Sequence, residues 1–504
     1  MTRVVSVNPA SGDTIDLDVI ETSTAEVLRL CEQAAFIARE YANRPLTWRA
    51  QLLHAMADEL EGSAADLVEI AGRETALTAP RLEGELRRTA FQFRFFADVV
   101  LDGSFLQASI DHATDSPMGP LPDLRRVRVP IGPVAVFGSS NFPFAFSVPG
   151  GDTASALAAG CPVVIKAHPA HPATSLATYQ ALTRAAIALD APPGLLAVVF
   201  GVDAGVALVE APSIRAVGFT GSVSAGQFLW RRANERPSPI PFFGELGSAN
   251  PLVVTPAAAA ERATSIGEGA AASMTLGVGQ FCTKPGLFFV PSDSYGDELV
   301  ATLAADLEKV STMTMLSNGI AAQFRSGVSD FEGVPGTRHV VTSSDNGGAN
   351  VGAQLFEVSA DTFRDPWAHR LHEECFGPVA LVVRYRDRDE LVAALDATQP
   401  SLTFSVFRAA SDDDAAWLID VAQSRAGRVI VDGYPTGVGV SWSMQHGGPW
   451  PSTTSPSSSS VGAASIERWL RPVTYQNVPD ELLPEALRDH NPLGVPQRVD
   501  GVAR

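Results

Sequence analysis

Apolar residues spaced three and four apart, with charges between them, predict amphipathic helices over Ala25–Glu40 and Ala50–Leu60. The same period runs through Pro80–Leu101, where Phe91, Phe93, Phe95 and Phe96 interleave with Arg87, Arg88 and Arg94. The first hundred residues are therefore expected to be mainly helical. His112–Arg128, rich in Pro, Asp and Arg, predicts an extended link or arm. From Pro133 the texture changes. Short apolar runs (PVAVFG, PVVIKAH, LLAVVFG, IRAVGFTGS) alternate with helical stretches at Gly151–Ala159, after His168 and near Gly205. Continuous apolar strands separated by helices predict parallel strands buried on both faces, hence a doubly wound α/β unit. Beyond Pro251 the alternation resumes with LFFVPS, HVVTS, PVALVVRY and RVIVDGYP, predicting a second α/β unit. Pro451–Ser460, PSTTSPSSSS, reads as a low-complexity polar loop, and the proline-rich tail from Pro472 as an extended surface segment. No internal repeat of fixed period is present.

A chain of 504 residues is expected to form two or three domains. With 45% hydrophobic and 18% charged residues it has the composition of a well-packed protein. Lys and Arg number 37 against 56 Asp and Glu, a formal net charge of −19. That balance argues against nucleic-acid and anionic-membrane partners, because phosphate repulsion is not offset over most of the surface. No apolar stretch approaches the roughly 18 residues of a membrane span, and the start MTRVVSVNPASGD lacks the apolar core of a signal peptide. Cys31, Cys161, Cys282 and Cys375 lie far apart with no CxxC pair, which reads as reduced thiols in a cytoplasmic protein.

One of the four stands apart. Cys282 lies in GVGQFCTKPG, among Gly277, Gly279 and Gly286, where the backbone can turn tightly and approach a ligand. Such a turn can present the sulfur and its own N–H to one substrate atom; a buried core cysteine is the alternative on spacing alone. Glu245, in PFFGELGSANP, has apolar neighbours that would raise its pKa if it is buried, as a general base near neutral pH requires. A salt-bridged or capping Glu fits the local sequence as well. Asn141, in GSSNFPFAFS, follows a strand at its carboxyl end, where α/β sheets bind ligands, and its amide can donate to an oxyanion. An Asn in a turn before proline is the other reading. Lys166 ends the strand PVVIK and can meet ribose or phosphate oxygens. Gly221 and Ser222 open a helix whose N-terminus would attract pyrophosphate, although there is no GxGxxG fingerprint. His168 and His171 in HPAHP have no companion ligand cluster, so no metal centre is expected.

In order along the chain, SSNFPFAFS, PVVIKAHPAHP, VGFTGSVSAG, FGELGSANP, GQFCTKPG and EECFGPV resemble the aldehyde dehydrogenase superfamily. The resemblance implies a Rossmann-type cofactor domain (1–110 and 131–246), an α/β catalytic domain (247–450), and an oligomerisation arm with the C-terminal segment (111–130 and 451–504). It implies Cys282 as nucleophile, Glu245 as general base, and Asn141 with the Cys282 N–H as oxyanion donors. Lys166 matches the ribose-binding lysine, Ser222 beside Gly221 the pyrophosphate contact, Glu374 the carboxylate on the nicotinamide ribose, and Phe376 the residue packed near the nicotinamide. A homodimer or homotetramer is the family's usual assembly.

The stretches FPFAFSVPGGDTASALAAGCPVVIKAHPAHPATS, MQHGGPWPSTT and WLRPVTYQN are most similar to α-ketoglutaric semialdehyde (2,5-dioxopentanoate) dehydrogenases and NADP-linked fatty aldehyde dehydrogenases. Asp432, in place of an expected Asn, and the uncharged PSTTSPSSSS loop depart from that pattern, outside the catalytic motifs. The expected reaction is NAD(P)-dependent oxidation of 2,5-dioxopentanoate, with a fatty or other aliphatic aldehyde as the alternative. A CoA-acylating enzyme would not need Glu245, and a non-catalytic relative could dispense with Cys282, Glu245 or Asn141. Pro169 stands where NAD-preferring relatives often carry a Glu, and Lys166 supplies positive charge, so dual cofactor use with a lean to NADP is expected. Arg87, Arg88 and Arg94 are the candidates for meeting a substrate carboxylate, with a solvated helix face or an interdomain salt bridge as the other reading.

Overall fold

Val134–Phe137 is buried at every position and forms the middle strand of a five-stranded sheet. The computed structural model describes residues 2–410, 412 and 415–504. The strand order is Phe242–Glu245, Ala216–Thr220, Val134–Phe137, Val163–Lys166 and Leu196–Val199, and every pair is parallel. Alternation along the strands sends side chains to two cores. Val134, Val136, Val163 and Ile165 pack with Leu52, Leu53, Phe93 and Phe96 from the N-terminal helices. Ala135, Phe137, Val164 and Val217 pack with Val27, Cys31 and Leu208. Burial on both faces explains the unbroken apolar runs. Because the strands are parallel, Lys166, Thr220 and Glu245 all end at one edge, the edge where such sheets bind ligands.

From Glu245 the chain passes through Leu246–Asn250 into Pro251–Val254, a strand of a second sheet. Its order is Arg338–Thr342, Gln354–Ser359, Val379–Tyr385, Leu287–Pro291, Pro251–Val254, Ser401–Phe407 and Ala426–Val431. Only the Arg338–Thr342 edge is antiparallel. A third sheet joins Leu470–Gln476, Leu124–Pro130, Ala108–Asp111, Gln497–Val499 and Val502–Ala503. The tail beyond Pro472 is thus more than a surface ribbon: Leu483, Leu487 and Val495 pack under this sheet against Ile110 and Val127.

The helices Thr24–Ala42, Leu46–Gly62 and Ala79–Asp102 match the periodicity. The first twenty residues do not, because they form an antiparallel hairpin, Arg3–Val7 with Thr14–Ile20. Its first strand buries every second residue, a period of two too short to stand out beside the helices. Among the described residues no helix is long and apolar enough to cross a membrane.

Candidate active site

After the helix Pro256–Thr275 and Leu276 come three successive left-handed residues, Gly277, Val278 and Gly279, at φ 58°, 64° and 65°. A β-branched residue in that region is strained, so the surroundings must impose the turn. A Cβ on Gly279 would collide with the Gly377 carbonyl, so the two loops touch through backbone. The turn delivers Cys282 partly exposed, whereas Cys31, Cys161 and Cys375 are buried. Asn250, fully buried at φ 49°, fixes the chain there. Its Nδ2 donates to the carbonyls of Cys282 at 2.7 Å and Lys284 at 3.0 Å, and its Oδ1 accepts from Ser248 and Thr403. Behind it the Lys284 ammonium donates to the carbonyls of Cys375 and Val379.

Glu245, at the end of its strand, is 3% exposed, and the segment after Pro451 covers it. Leu246 N–H donates to the Ser452 carbonyl, Thr454 N–H to the Gly244 carbonyl, and the Ser460 hydroxyl to Glu245 Oε2. His446, 1% exposed, places Nε2 at 2.9 Å from Glu245 Oε1 and 3.6 Å from Cys282 Sγ. Burial pushes the Glu245 carboxyl up, but His446, Ser460 and the Cys282 thiol together hold it below the ordinary carboxylate value. This reverses the expectation of a raised pKa, which took the apolar neighbours into account and not His446. The Cys282 thiol goes the other way: burial, then the charges of Glu245 and Glu374, push it well above a free thiol. Donor atoms of Glu245, Cys282 and His446 lie within 4.8 Å of one another, close enough to share a divalent ion.

Cys282 lines two cavities. One, of about 420 Å³, is formed by Ser139–Asn141, His168–Ala170, Thr220–Ser222, Glu245–Gly247, Glu374 and Phe376. Asn141 Nδ2 spends one proton on the Gln280 carbonyl at 2.9 Å, leaving a second for the cavity. Ser222 caps the helix Val223–Glu235 and so sets that helix N-terminus at the cavity wall. A Cβ on Gly247 would collide with the Glu374 carboxyl, which burial raises despite the nearby Lys284. Lys166 stands at the sheet edge, where burial lowers its ammonium to about 8 and the Glu21 carboxylate partly opposes that shift. His171 bonds the Ser139 carbonyl at 2.8 Å. The second cavity, of about 350 Å³, is lined by Pro80, Arg81, Gly84, Glu85 and Arg88 of one helix, by Phe142, Phe146 and Phe281, and by Gly437 and Val438. Of the three arginines singled out in the sequence, Arg88 lines it. Arg87 is exposed, and Arg94 pairs with Asp58 and Glu61.

The model of the aldehyde dehydrogenase family matches residues 2–324 and 346–474. The chain belongs to that family. It is 45% identical over 503 residues to alpha-ketoglutaric semialdehyde dehydrogenase 2 of Azospirillum brasilense, covering 98% of this chain and 95% of that one. It is 38% identical to alpha-ketoglutaric semialdehyde dehydrogenase of Acinetobacter baylyi, covering 95% and 92%. The fold is shared with a solved aldehyde dehydrogenase from Brucella melitensis biovar abortus (TM-score 0.79, 22% identity, 94% and 93% covered). It is also shared with an NADP-dependent glyceraldehyde-3-phosphate dehydrogenase from Bacillus halodurans (TM-score 0.80, 23% identity, 94% and 96% covered). The chain is an NAD(P)-dependent aldehyde dehydrogenase, converting an aldehyde to a carboxylate.

Within this dehydrogenase the structure brings together Cys282, Glu245, Asn141, Gly221, Ser222, Glu374 and Phe376 at one cavity, with Lys166 at the same sheet edge. Sequence reasoning missed His446, Ser460 and Asn250. His446 sits in MQHGGPWPSTT, a stretch that carried the family likeness without any residue being assigned a role. The loop Pro451–Ser460, read as lying away from the catalytic motifs, instead forms the wall behind Glu245. Asp432, the other departure, holds a left-handed turn at φ 50° and pairs with Arg262 at 2.7 Å.

Proposed function

We propose that the substrate is 2,5-dioxopentanoate, oxidised to 2-oxoglutarate through a thioester on Cys282. The observation that carries the mechanism is the position of Cys282 between two cavities, with Glu245 and His446 against its sulfur. The names and identities of the two semialdehyde dehydrogenases support the substrate. A panel of 2,5-dioxopentanoate, succinic semialdehyde and long-chain aldehydes, compared by kcat/KM, tests it. Preference for the long-chain members would replace this reading with the fatty aldehyde alternative.

At rest the thiol keeps its proton, since burial and two carboxylates disfavour the thiolate. His446 Nε2, at 3.6 Å, takes that proton, and Glu245 at 2.9 Å balances the imidazolium. The sulfur then attacks the aldehyde carbon, and the free Asn141 N–H and the Cys282 backbone N–H receive the oxyanion. The first cavity fits a nicotinamide cofactor, with the helix N-terminus at Ser222 for its phosphates and Glu374 for a ribose. A nicotinamide held there would supply the acceptor for the hydride that leaves the carbon. Collapse of the oxyanion leaves the thioester. Glu245 then draws a proton from water, the oxygen attacks, and the Cys282 sulfur departs and takes back the proton held on His446, while Glu245 releases its own to solvent. Because His446 and Ser460 weaken Glu245 as an isolated base, the pair rather than the carboxylate alone carries this step.

The division into a cofactor unit (1–110 and 131–246), a catalytic unit (247–450) and an arm is part of the same reading. So are a homodimer or homotetramer and a cytoplasmic location, the latter supported by four free thiols. For the cofactor, dual use with a lean to NADP rests on Pro169 beside the first cavity and on Lys166. Glu21 acts against it, and Asp203 and Glu210 on the neighbouring helix add no cation. The lean should then depend on pH. As pH rises through about 8, Lys166 loses its charge, and the NADP-to-NAD ratio of kcat/KM should fall, by about tenfold if a charged hydrogen bond is lost. A ratio constant between pH 7 and 9 would show that Lys166 does not meet the 2′-phosphate.

A further inference from the structure

The second cavity contains three charged side chains from one helix face, Arg81, Glu85 and Arg88. Glu85 is fully engaged. One oxygen pairs with Arg81 at 2.7 Å, and the other accepts the backbone N–H groups of Phe144 and Ala145 at 2.8 and 2.9 Å. Arg81 is correspondingly committed, its guanidinium also stacked 4.5 Å from the Phe142 ring centre. Arg88 differs. Among the described residues it forms no ion pair. Its hydrogen bonds, to Gln92 Oε1 and the Val438 carbonyl, are both long at 3.3 Å. One face of the guanidinium lies 5.1 Å from the Phe146 ring centre. A guanidinium carries five N–H donors, so most of its donor capacity remains unused.

A cation kept from water without a fixed counter-ion is costly. Here that cost is borne in an aromatic-walled cavity that ends at Cys282. Glu85 lies one helical turn away and attracts Arg88 but is already paired with Arg81, and Glu245, which attracts Arg88 from outside the lining, lies against His446, so the lining itself keeps one more cation than carboxylate. Arg428, which also acts on Cys282, is tied to the carbonyls of Pro435 and Gly437 and does not line the cavity. We infer that Arg88 is the specificity-determining residue of the substrate cavity. It receives the carboxylate at the far end of the substrate while the aldehyde carbon meets Cys282 Sγ. The planar fork can hold both carboxylate oxygens, and that complementarity favours short semialdehydes of dicarboxylic acids over uncharged aldehydes. This rests on the reading of Cys282 as the nucleophile and extends it to the opposite end of the substrate.

The test is the ratio of kcat/KM for 2,5-dioxopentanoate to that for pentanal, an uncharged aldehyde of the same carbon count, in the unmodified enzyme, Arg88→Gln and Arg88→Lys. The unmodified enzyme should favour the carboxylate. Arg88→Gln should lower the ratio by about 30- to 100-fold, the value of a charged hydrogen-bond pair, chiefly through KM for the anionic substrate. Arg88→Lys, which keeps the charge and loses the fork, should recover part of the ratio. If both aldehydes lose rate together in Arg88→Gln and the ratio holds, Arg88 only supports the cavity wall and the inference is overturned, while the substrate reading stands. If the unmodified enzyme treats both aldehydes alike, the inference and the 2,5-dioxopentanoate reading fall together.

Discussion

Replacing Cys282 with alanine is expected to lower aldehyde oxidation by at least about 10⁴-fold, the scale on which removing a covalent nucleophile acts. Cofactor affinity should change little. The expectation is specific to this thiol for physical reasons. Cys31, Cys161 and Cys375 are buried, and burial pushes them up to about 12, 11 and 12, so they are inert near neutrality and face neither cavity. Cys282 is also pushed up, yet it alone of the four has a base at hand, His446 Nε2 at 3.6 Å. Its carbonyl, not its side chain, is what Asn250 holds, so truncation at Cβ should leave the loop in place. Steady-state NAD(P)H formation measures the first effect, and cofactor titration followed by fluorescence the second. Substantial residual turnover would remove the thioester from the mechanism. Loss of cofactor binding in parallel would mean the side chain is structural.

The parallel sheets were legible because strands such as VAVF, VVIK and VALVV are buried on both faces and read as unbroken apolar runs. Ser401–Phe407 is just as buried but was missed, since Ser401, Thr403 and Ser405 interrupt its apolar pattern. Two of those hydroxyls explain themselves only in three dimensions: Ser401 accepts the Asn250 N–H, and Thr403 donates to Asn250 Oδ1. The serine-rich loop misled for the same reason. Its composition reads as solvated, yet Ser452, Thr453 and Ser459 spend their hydroxyls on the carbonyls of Pro449, Gly448 and Val461, and Ser460 spends its own on Glu245. Cys282, Glu245 and Asn141 could be found because each sits in a local motif. His446 could not be assigned a role, because its partners, Glu245 and Cys282, lie far away in the chain.

Glu245→Gln is expected to separate the two halves of the reaction. Glutamine keeps the size of the side chain and can still accept from Ser460, but it cannot take a proton from water or balance an imidazolium on His446. The thioester should therefore form and then persist. A rapid burst of NAD(P)H should precede a steady state lowered by about 10²- to 10⁴-fold, the usual contribution of a general base. The pH dependence of the burst carries a second signature. In the native site the Glu245 charge is one of the causes that raise the Cys282 thiol. Removing that charge lowers the thiol pKa, so the burst should reach its full rate at lower pH than in the unmodified enzyme. Against this runs the loss of the partner that steadies His446, which slows proton removal without moving the thiol upward. Rapid-mixing absorbance across a pH series distinguishes them: a midpoint shifted down with a burst retained assigns Glu245 to deacylation. Equal loss of burst and steady state would show that Glu245 limits the attack, through the His446 imidazolium, as much as deacylation, and its assignment chiefly to deacylation would fall.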